Sequence, residues 1–138
     1  MRRVVIDTNV VVSALGSRSG ASFRLISLLG GPQWQPAVSA ALILEYEEIC
    51  KREAGRLGLA EWVVESILDM MCRFGSQHSI RFRLRPVMRD PDDEFVLELA
   101  VASQAEFIIT YNLRDFRGAE AYGIRVVTPG EFLRTIGA

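Results

Sequence analysis

Lysine, histidine and cysteine are scarce in this 138-residue chain, and the shortage excludes several kinds of site. Lys51 is the one lysine and His78 the one histidine, the latter in a polar loop where we expect it to be exposed. Cys50 and Cys72 stand apart, without a CxxC pair or a neighbouring histidine. Zinc sites need clusters of such ligands. We therefore expect no zinc site, and free thiols in a reducing compartment rather than a disulfide.

The sequence also has no apolar run of membrane-spanning length, no signal-peptide pattern and no strong net charge. We expect a cytoplasmic protein with no membrane partner. The formal net charge of −1 gives no global attraction to nucleic acid, so any such binding must come from local patches. A Walker loop and a GxGxxG motif are both absent, which argues against nucleoside triphosphate and dinucleotide chemistry.

Apolar segments of two periodicities alternate along the chain, and its 49% hydrophobic content suits a globular protein. We expect a single domain over residues 1–138. Short apolar runs predict buried strands at 3–6, 107–110 and 124–127, and the strictly alternating stretch 79–87 predicts a strand with one wet face. Helices are predicted at 39–53, 59–74 and 89–106. The second, which carries Trp62 and two methionines, either packs against the core or forms a dimer surface, and we expect the core. This alternation predicts an α/β fold, a three-layer α/β/α sandwich with a mainly parallel central sheet.

Asp7 directly follows the first predicted strand. In parallel sheets, binding sites form beyond the carboxyl ends of the strands. A carboxylate at this position is equally typical of a cap or turn that starts the next segment. Position alone leaves both interpretations open.

Glu45 falls on the apolar face of its predicted helix, between Leu42 and Ile49, whereas Glu47 and Glu48 fall on the polar side. A carboxylate among apolar neighbours is costly unless it has a partner. The partner is either a metal ion or a buried arginine in a structural salt bridge.

Asp93 lies in the first turn of the helix predicted after Asp90 and Pro91, where the helix dipole favours negative charge. That placement alone accounts for an acid there. On a helical wheel, however, Asp93 shares a face with the apolar residues 96, 97 and 100, whereas Glu94 and Glu98 turn away. We therefore predict that Asp93 points inward.

Asn112 and Asp115 follow the strand predicted at 107–110, so they also belong to the carboxyl edge of the sheet. Each also has an ordinary structural interpretation, as a turn residue or a helix cap. The combination of acids from distant parts of the chain is more informative. Clustered carboxylates raise one another's pKa, and a hard divalent cation such as Mg²⁺ relieves that conflict. We predict that Asp7, Glu45 and Asp93 are metal ligands.

Four stretches together resemble the PIN-domain ribonucleases, in particular the VapC-like toxins of prokaryotic toxin–antitoxin pairs. They are VVIDTNVVVSAL, LILEYEEI, RDPDDEFVLELAVASQAEFIITYNLRDF and GIRVVTPGEFL, and they span nearly the whole chain. The resemblance implies a Mg²⁺- or Mn²⁺-dependent endoribonuclease that forms a homodimer and binds a small antitoxin protein.

The resemblance also assigns roles to residues. It implies catalytic acids at Asp7, Glu45 and Asp93. The family's fourth position falls on Asn112, where many members have aspartate, which leaves open whether Asn112, Asp115 or both complete the site. Other residues implied to line the site are Thr8, Asn9 and Thr110.

An acidic site that cleaves RNA needs basic flanks. Candidates for RNA contact are Arg81, Arg83, Arg85 and Arg114, although a row of arginines on a strand is also typical of a solvated face. Aspartyl-phosphate chemistry is a poor fit, because Asn9 stands where a second aspartate is needed and no late lysine exists. A PIN module that binds RNA or a partner without cleaving is the remaining alternative.

Overall fold

The computed structural model describes the backbone of residues 1–80 and 91–138 and the side chains of residues 1–80 and 95–138. The strand predicted at 79–87 lies, from residue 81 onward, outside the described residues. The RNA contacts predicted for Arg81, Arg83 and Arg85 therefore stay predictions.

The described residues form a five-stranded sheet in which every neighbouring pair is parallel. The strands are β1 (Arg2–Ile6), β2 (Trp34–Val38), β3 (Ser76–Gln77), β4 (Phe107–Ile109) and β5 (Arg125–Val127). Their order across the sheet is β3-β2-β1-β4-β5, which places β1 at the centre. The carboxyl ends of all five strands therefore meet at one edge, which confirms the predicted parallel α/β architecture.

Helices connect these strands and cover the sheet. They are α1 (Thr8–Gly16), α2 (Ala21–Ser27), α3 (Ala40–Arg56), α4 (Glu61–Phe74), α5 (Pro91–Ala102), a 3-10 helical segment (Leu113–Tyr122) and α6 (Pro129–Thr135). The predicted start of α3 is confirmed, because the Ser39 hydroxyl caps it by accepting a hydrogen bond from the Leu42 N–H at 3.2 Å. No helix within the described ranges is long and apolar enough to cross a membrane.

The central strand is buried on both faces from Val4 to Ile6, which explains why this part of its sequence is continuously apolar. These three residues are inaccessible to solvent, as is all of β4 beside them. Burial of each such side chain contributes about 1.5–3 kcal/mol. Beside them, the ring of Phe132 from α6 packs edge-on against Phe107, with ring centroids 5.3 Å apart. This core holds β1 rigidly, and thereby the residue that follows it.

Two predictions about individual side chains are wrong. Trp62 does not face the core: it is 67% exposed, because the buried stripe of α4 consists of Val64, Leu68 and Met71. Residues two positions apart on a helix are rotated by about 200° around its axis, so Trp62 lies almost opposite Val64. His78 is half-buried rather than exposed, since its N–H bonds the Val38 carbonyl at 2.9 Å where β3 ends.

Candidate active site

Asp7 lies where β1 ends and α1 begins, so it is a helix cap and also a residue of the carboxyl edge of the sheet. It is the N-cap of α1, and its Oδ1 accepts a hydrogen bond from the Thr8 N–H at 2.9 Å. Its own N–H donates to the Ile109 carbonyl of β4 at 2.9 Å. Asp7 is buried at the carboxyl edge of the sheet, and its second oxygen, Oδ2, is left for contacts beyond the cap.

Thr110 and Asn9 hold that second oxygen. The Thr110 hydroxyl donates to Asp7 Oδ2 at 2.7 Å and accepts from the Asn112 N–H at 3.0 Å. The Asn9 amide donates to both Asp7 Oδ2 and Thr110 Oγ1, each at 3.3 Å. The end of β4 and the start of α1 thus fix the orientation of the Asp7 carboxylate.

Glu45 reaches the same place from α3. The Thr8 hydroxyl donates a hydrogen bond to Glu45 Oε2, while the Thr8 N–H is bonded to Asp7. One residue therefore contacts both carboxylates. Glu45 is half-buried, whereas Glu47 and Glu48 on the same helix are exposed, as predicted.

Tyr46 fixes α3 against the central strand, although it is not among the site residues predicted from the sequence. Its buried hydroxyl donates to the carbonyl of Ile6, the residue before Asp7. Burial raises the pKa of Tyr46 well above its usual value, and the charges of Asp7, Cys50 and Glu45 raise it further. The hydroxyl therefore remains a donor at all ordinary pH values. The stripe of buried residues at four-residue spacing, 42, 46, 50 and 54, was the sequence signal for the burial of Tyr46, although it does not identify the partner of the hydroxyl.

Asp93 lies in the first turn of α5, and its side chain is outside the described residues. Among the side chains that the structure does describe, no three His, Cys, Asp or Glu residues form a cluster able to hold a metal ion. The structure thus brings together two of the three acids predicted to bind metal. The position of the third carboxylate stays a prediction.

Glu98 is buried, contrary to the helical-wheel prediction for α5. It was predicted to turn away from the protein but is only 7% exposed, and Leu99 beside it is fully buried. Helix α5 contacts β1, β2, β4, α3 and the 3-10 segment, so it is covered on several sides. Burial around this helix therefore does not distinguish the face of Asp93 from that of Glu98.

Asn112 and Asp115 both lie beyond the end of β4. Asn112 is exposed and is tied to the site through its N–H, which donates to Thr110 Oγ1. Asp115 is half-buried in the first turn of the 3-10 segment, where its N–H donates to the Asn112 carbonyl at 3.1 Å. Arg114 between them is exposed. Which of the two completes the site stays open.

The side chains assembled here carry carboxylate, hydroxyl and amide groups as possible metal-ligating groups. Asp7 and Glu45 supply carboxylates, and Thr8 and Thr110 orient them through hydroxyl groups. Carboxylate oxygens are the protein ligands that Mg²⁺ and Mn²⁺ favour, so the donor set fits such an ion.

Comparisons with known proteins bear on the family and the fold of this chain. The sequence model of the PIN domain matches residues 3–114, and no curated protein matches the chain. Two similar solved structures are VapBC2 from Rickettsia felis bound to a DNA fragment from their promoter, and VapBC-1 from nontypeable Haemophilus influenzae.

Both similarities extend over almost the whole fold. The first structure has 14% identity and a TM-score of 0.59, and the match covers 90% of this chain and 96% of that one. The second has 14% identity and a TM-score of 0.60, with 93% and 98% covered. At such low identity these two similarities show the fold, which is the one predicted. The sequence match over residues 3–114 shows more: this chain belongs to the PIN domain family.

Proposed function

We propose that this protein is a divalent-metal-dependent endoribonuclease and the toxin of a toxin–antitoxin pair. The observation that carries the proposal is the contact of Thr8 with both acids: its N–H binds Asp7 and its hydroxyl binds Glu45. Two carboxylates from separate elements are thereby held at the edge of a parallel sheet where sites form. Membership of the PIN family supports the choice of nuclease chemistry.

In this proposal Asp7, Glu45 and Asp93 hold Mg²⁺ or Mn²⁺. When bound there, such an ion would lower the pKa of a water molecule and would offset charge on the leaving oxygen of the phosphodiester. The protein's own part is orientation: Thr110 and Asn9 fix Asp7, and Thr8 and Tyr46 fix the helix that carries Glu45. Asp93 or Asp115 accepts the proton of the attacking water.

RNA, a small antitoxin and a second copy of the chain are the proposed partners. The similar solved structures are VapBC complexes, which supports an antitoxin as a partner. Arg114 is an exposed cation two residues after Asn112, a suitable position for a phosphate contact. A cytoplasmic location is part of the same proposal.

The test is cleavage of a panel of single-stranded and structured RNAs with Mg²⁺, Mn²⁺ or EDTA. Asp7→Asn is the informative variant, because asparagine caps a helix as well as aspartate does, so the charge is lost while the cap is kept. We expect cleavage with metal, none with EDTA, and a loss of about 100-fold or more in Asp7→Asn.

Glu45→Gln and Glu48→Gln form a matched pair on α3, one facing Thr8 and the other exposed beside Arg52. We expect cleavage to be lost in the first and kept in the second. Cleavage that survives EDTA would rule out the metal mechanism. Equal activity of both glutamine variants would rule out the assignment of Glu45.

The second candidate function is a PIN module that binds RNA or a partner without cleaving. Asn112 favours it, because many family members have an aspartate at that position. In that case the wild-type protein binds RNA with no metal-dependent cleavage, and Asp7→Asn leaves its affinity unchanged.

A further inference from the structure

Tyr111 is an exposed aromatic residue whose hydroxyl group is tied to the protein interior. Its Oη lies 2.6 Å from the hydroxyl of Ser22, which is only 1% exposed, yet the residue as a whole is 45% exposed. A surface tyrosine more commonly rests its ring on the protein and keeps its hydroxyl in water. Here the hydroxyl is anchored, although nearly half of the residue is exposed.

The backbone of Tyr111 is fixed as well, and by the candidate active site. Its N–H donates to Asn9 Oδ1 at 3.3 Å, and the amide nitrogen of the same Asn9 side chain donates to Asp7 Oδ2. Tyr111 also directly follows Thr110, which binds Asp7 through its hydroxyl. The ring is thus held at both ends, one residue from the side chain that orients the first acid.

A rigid, exposed aromatic ring beside a site proposed to cleave phosphodiesters is suited to bind a base of the RNA. The face of an aromatic side chain stacks on any nucleobase, and single-stranded RNA presents unstacked bases. Because the ring is already fixed by Ser22 and Asn9, stacking costs little further side-chain entropy.

We propose that Tyr111 is a stacking platform for a base of single-stranded RNA next to the phosphate held at the acidic site. This inference rests on the proposed nuclease function and adds to it the substrate class and a binding residue. It predicts a preference for unpaired RNA with little selectivity among the four bases.

The test measures equilibrium binding, so it does not depend on cleavage. We would compare the affinities of a 12-nucleotide oligo(rU) and a 12-unit abasic chain with the same number of phosphates, with Mg²⁺ and in the Asp7→Asn background. Tyr111→Ala should weaken oligo(rU) binding by about 5- to 140-fold, the factor that corresponds to one stacked base. The affinity of the Tyr111→Ala variant for the abasic chain should stay within about twofold of that of the Asp7→Asn protein, because no base is present to stack.

Two further substitutions at this position separate the ring from the fold. Tyr111→Phe keeps the ring and loses only the bond to Ser22, so it should retain affinity to within about threefold, whereas Tyr111→Leu should behave as alanine does. Tyr122→Ala is the matched control: Tyr122 is 42% exposed but lies just before β5, at the opposite edge of the sheet, and should change neither affinity. Melting temperatures identify any variant that does not fold.

Three results would overturn the stacking role: unchanged oligo(rU) affinity in the alanine variant, an equal loss for both chains, or a phenylalanine variant as weak as alanine. A wild-type protein that cleaves no RNA contradicts the nuclease proposal instead, and the affinity comparison still decides whether Tyr111 stacks.

Discussion

Replacement of Thr110 by valine tests how the site is held together. Thr110 is fully buried at the end of β4, and its hydroxyl has two well-formed bonds: it donates to Asp7 Oδ2 at 2.7 Å and accepts from the Asn112 N–H at 3.0 Å. Valine has nearly the same shape but neither bonding function. The substitution therefore removes the bonds that the Thr110 hydroxyl makes between β4 and α1, without opening a cavity.

The expected cost follows from these two bonds. A hydrogen bond to a charged acceptor contributes about 1.5–3 kcal/mol, and a buried N–H without an acceptor costs about 1–3 kcal/mol. Asp7 keeps its bonds to Thr8 and Asn9, and the Asn112 N–H is only partly buried, so water recovers part of the loss. We expect the free energy of unfolding to fall by about 2–4 kcal/mol, toward the lower half of the summed range.

The free energy of unfolding is measured by urea unfolding, and the m-value should be the same for all variants. Thr110→Ser keeps the hydroxyl and loses one buried methyl group, which should cost about 1 kcal/mol. Thr135→Val is the surface control, since Thr135 is exposed on α6 and its hydroxyl donates to the Glu131 carbonyl of the same helix, so its cost should stay below about 0.5 kcal/mol. If Thr110→Val were no more destabilising than Thr110→Ser, the claim that this hydroxyl organises the site would be refuted.

Two further predictions concern α3 and the tryptophans. Burial raises the pKa of Tyr46 well above its usual value and that of Cys50 to about 12. The unfolded chain loses these protons first, so stability should fall as the pH rises above about 9–10, by up to about 1.4 kcal/mol per pH unit for each proton. In urea titrations between pH 8 and 11, Tyr46→Phe should leave the slope unchanged below about pH 9 and flatten it by close to one proton near pH 11, and an unchanged slope near pH 11 would contradict this. Trp34→Ala, which removes a buried ring packed on Phe132, should cost about 3–5 kcal/mol, and Trp62→Ala less than about 0.5 kcal/mol; comparable losses on urea unfolding would contradict the observed burial.

The strands and the first acid could be predicted from sequence because their signals are local. Residues 4–6 and 107–109 within the predicted runs are uniformly apolar, as central parallel strands require, and all six are fully buried in the structure. Once the first strand was identified, Asp7 had to lie at its carboxyl end. The position of Glu45 followed from one helix with a clear apolar stripe.

The failures have a common physical cause. A helical wheel assumes that a helix has one buried face and shows where that face lies. Helix α5 is packed by several elements, so Glu98 is buried although it does not share the apolar stripe. On α4 the true stripe was displaced from the predicted one, which placed Trp62 in solvent. The bonds of Tyr46 and Tyr111 join elements far apart in sequence, which no local pattern encodes.

The Asp7 carboxylate is also stabilised by the protein itself, which bears on how a cation would bind. Asp7 caps α1 and so lies at a helix N-terminus, where the dipole favours a negative charge by about 0.3–1 kcal/mol. Asp7 in addition accepts bonds from Thr8, Thr110 and Asn9. These contacts orient the Asp7 carboxylate before any ion arrives, so little ordering cost is left for the binding step. A preformed anionic edge of this kind favours metal binding with little rearrangement of β1 and α1.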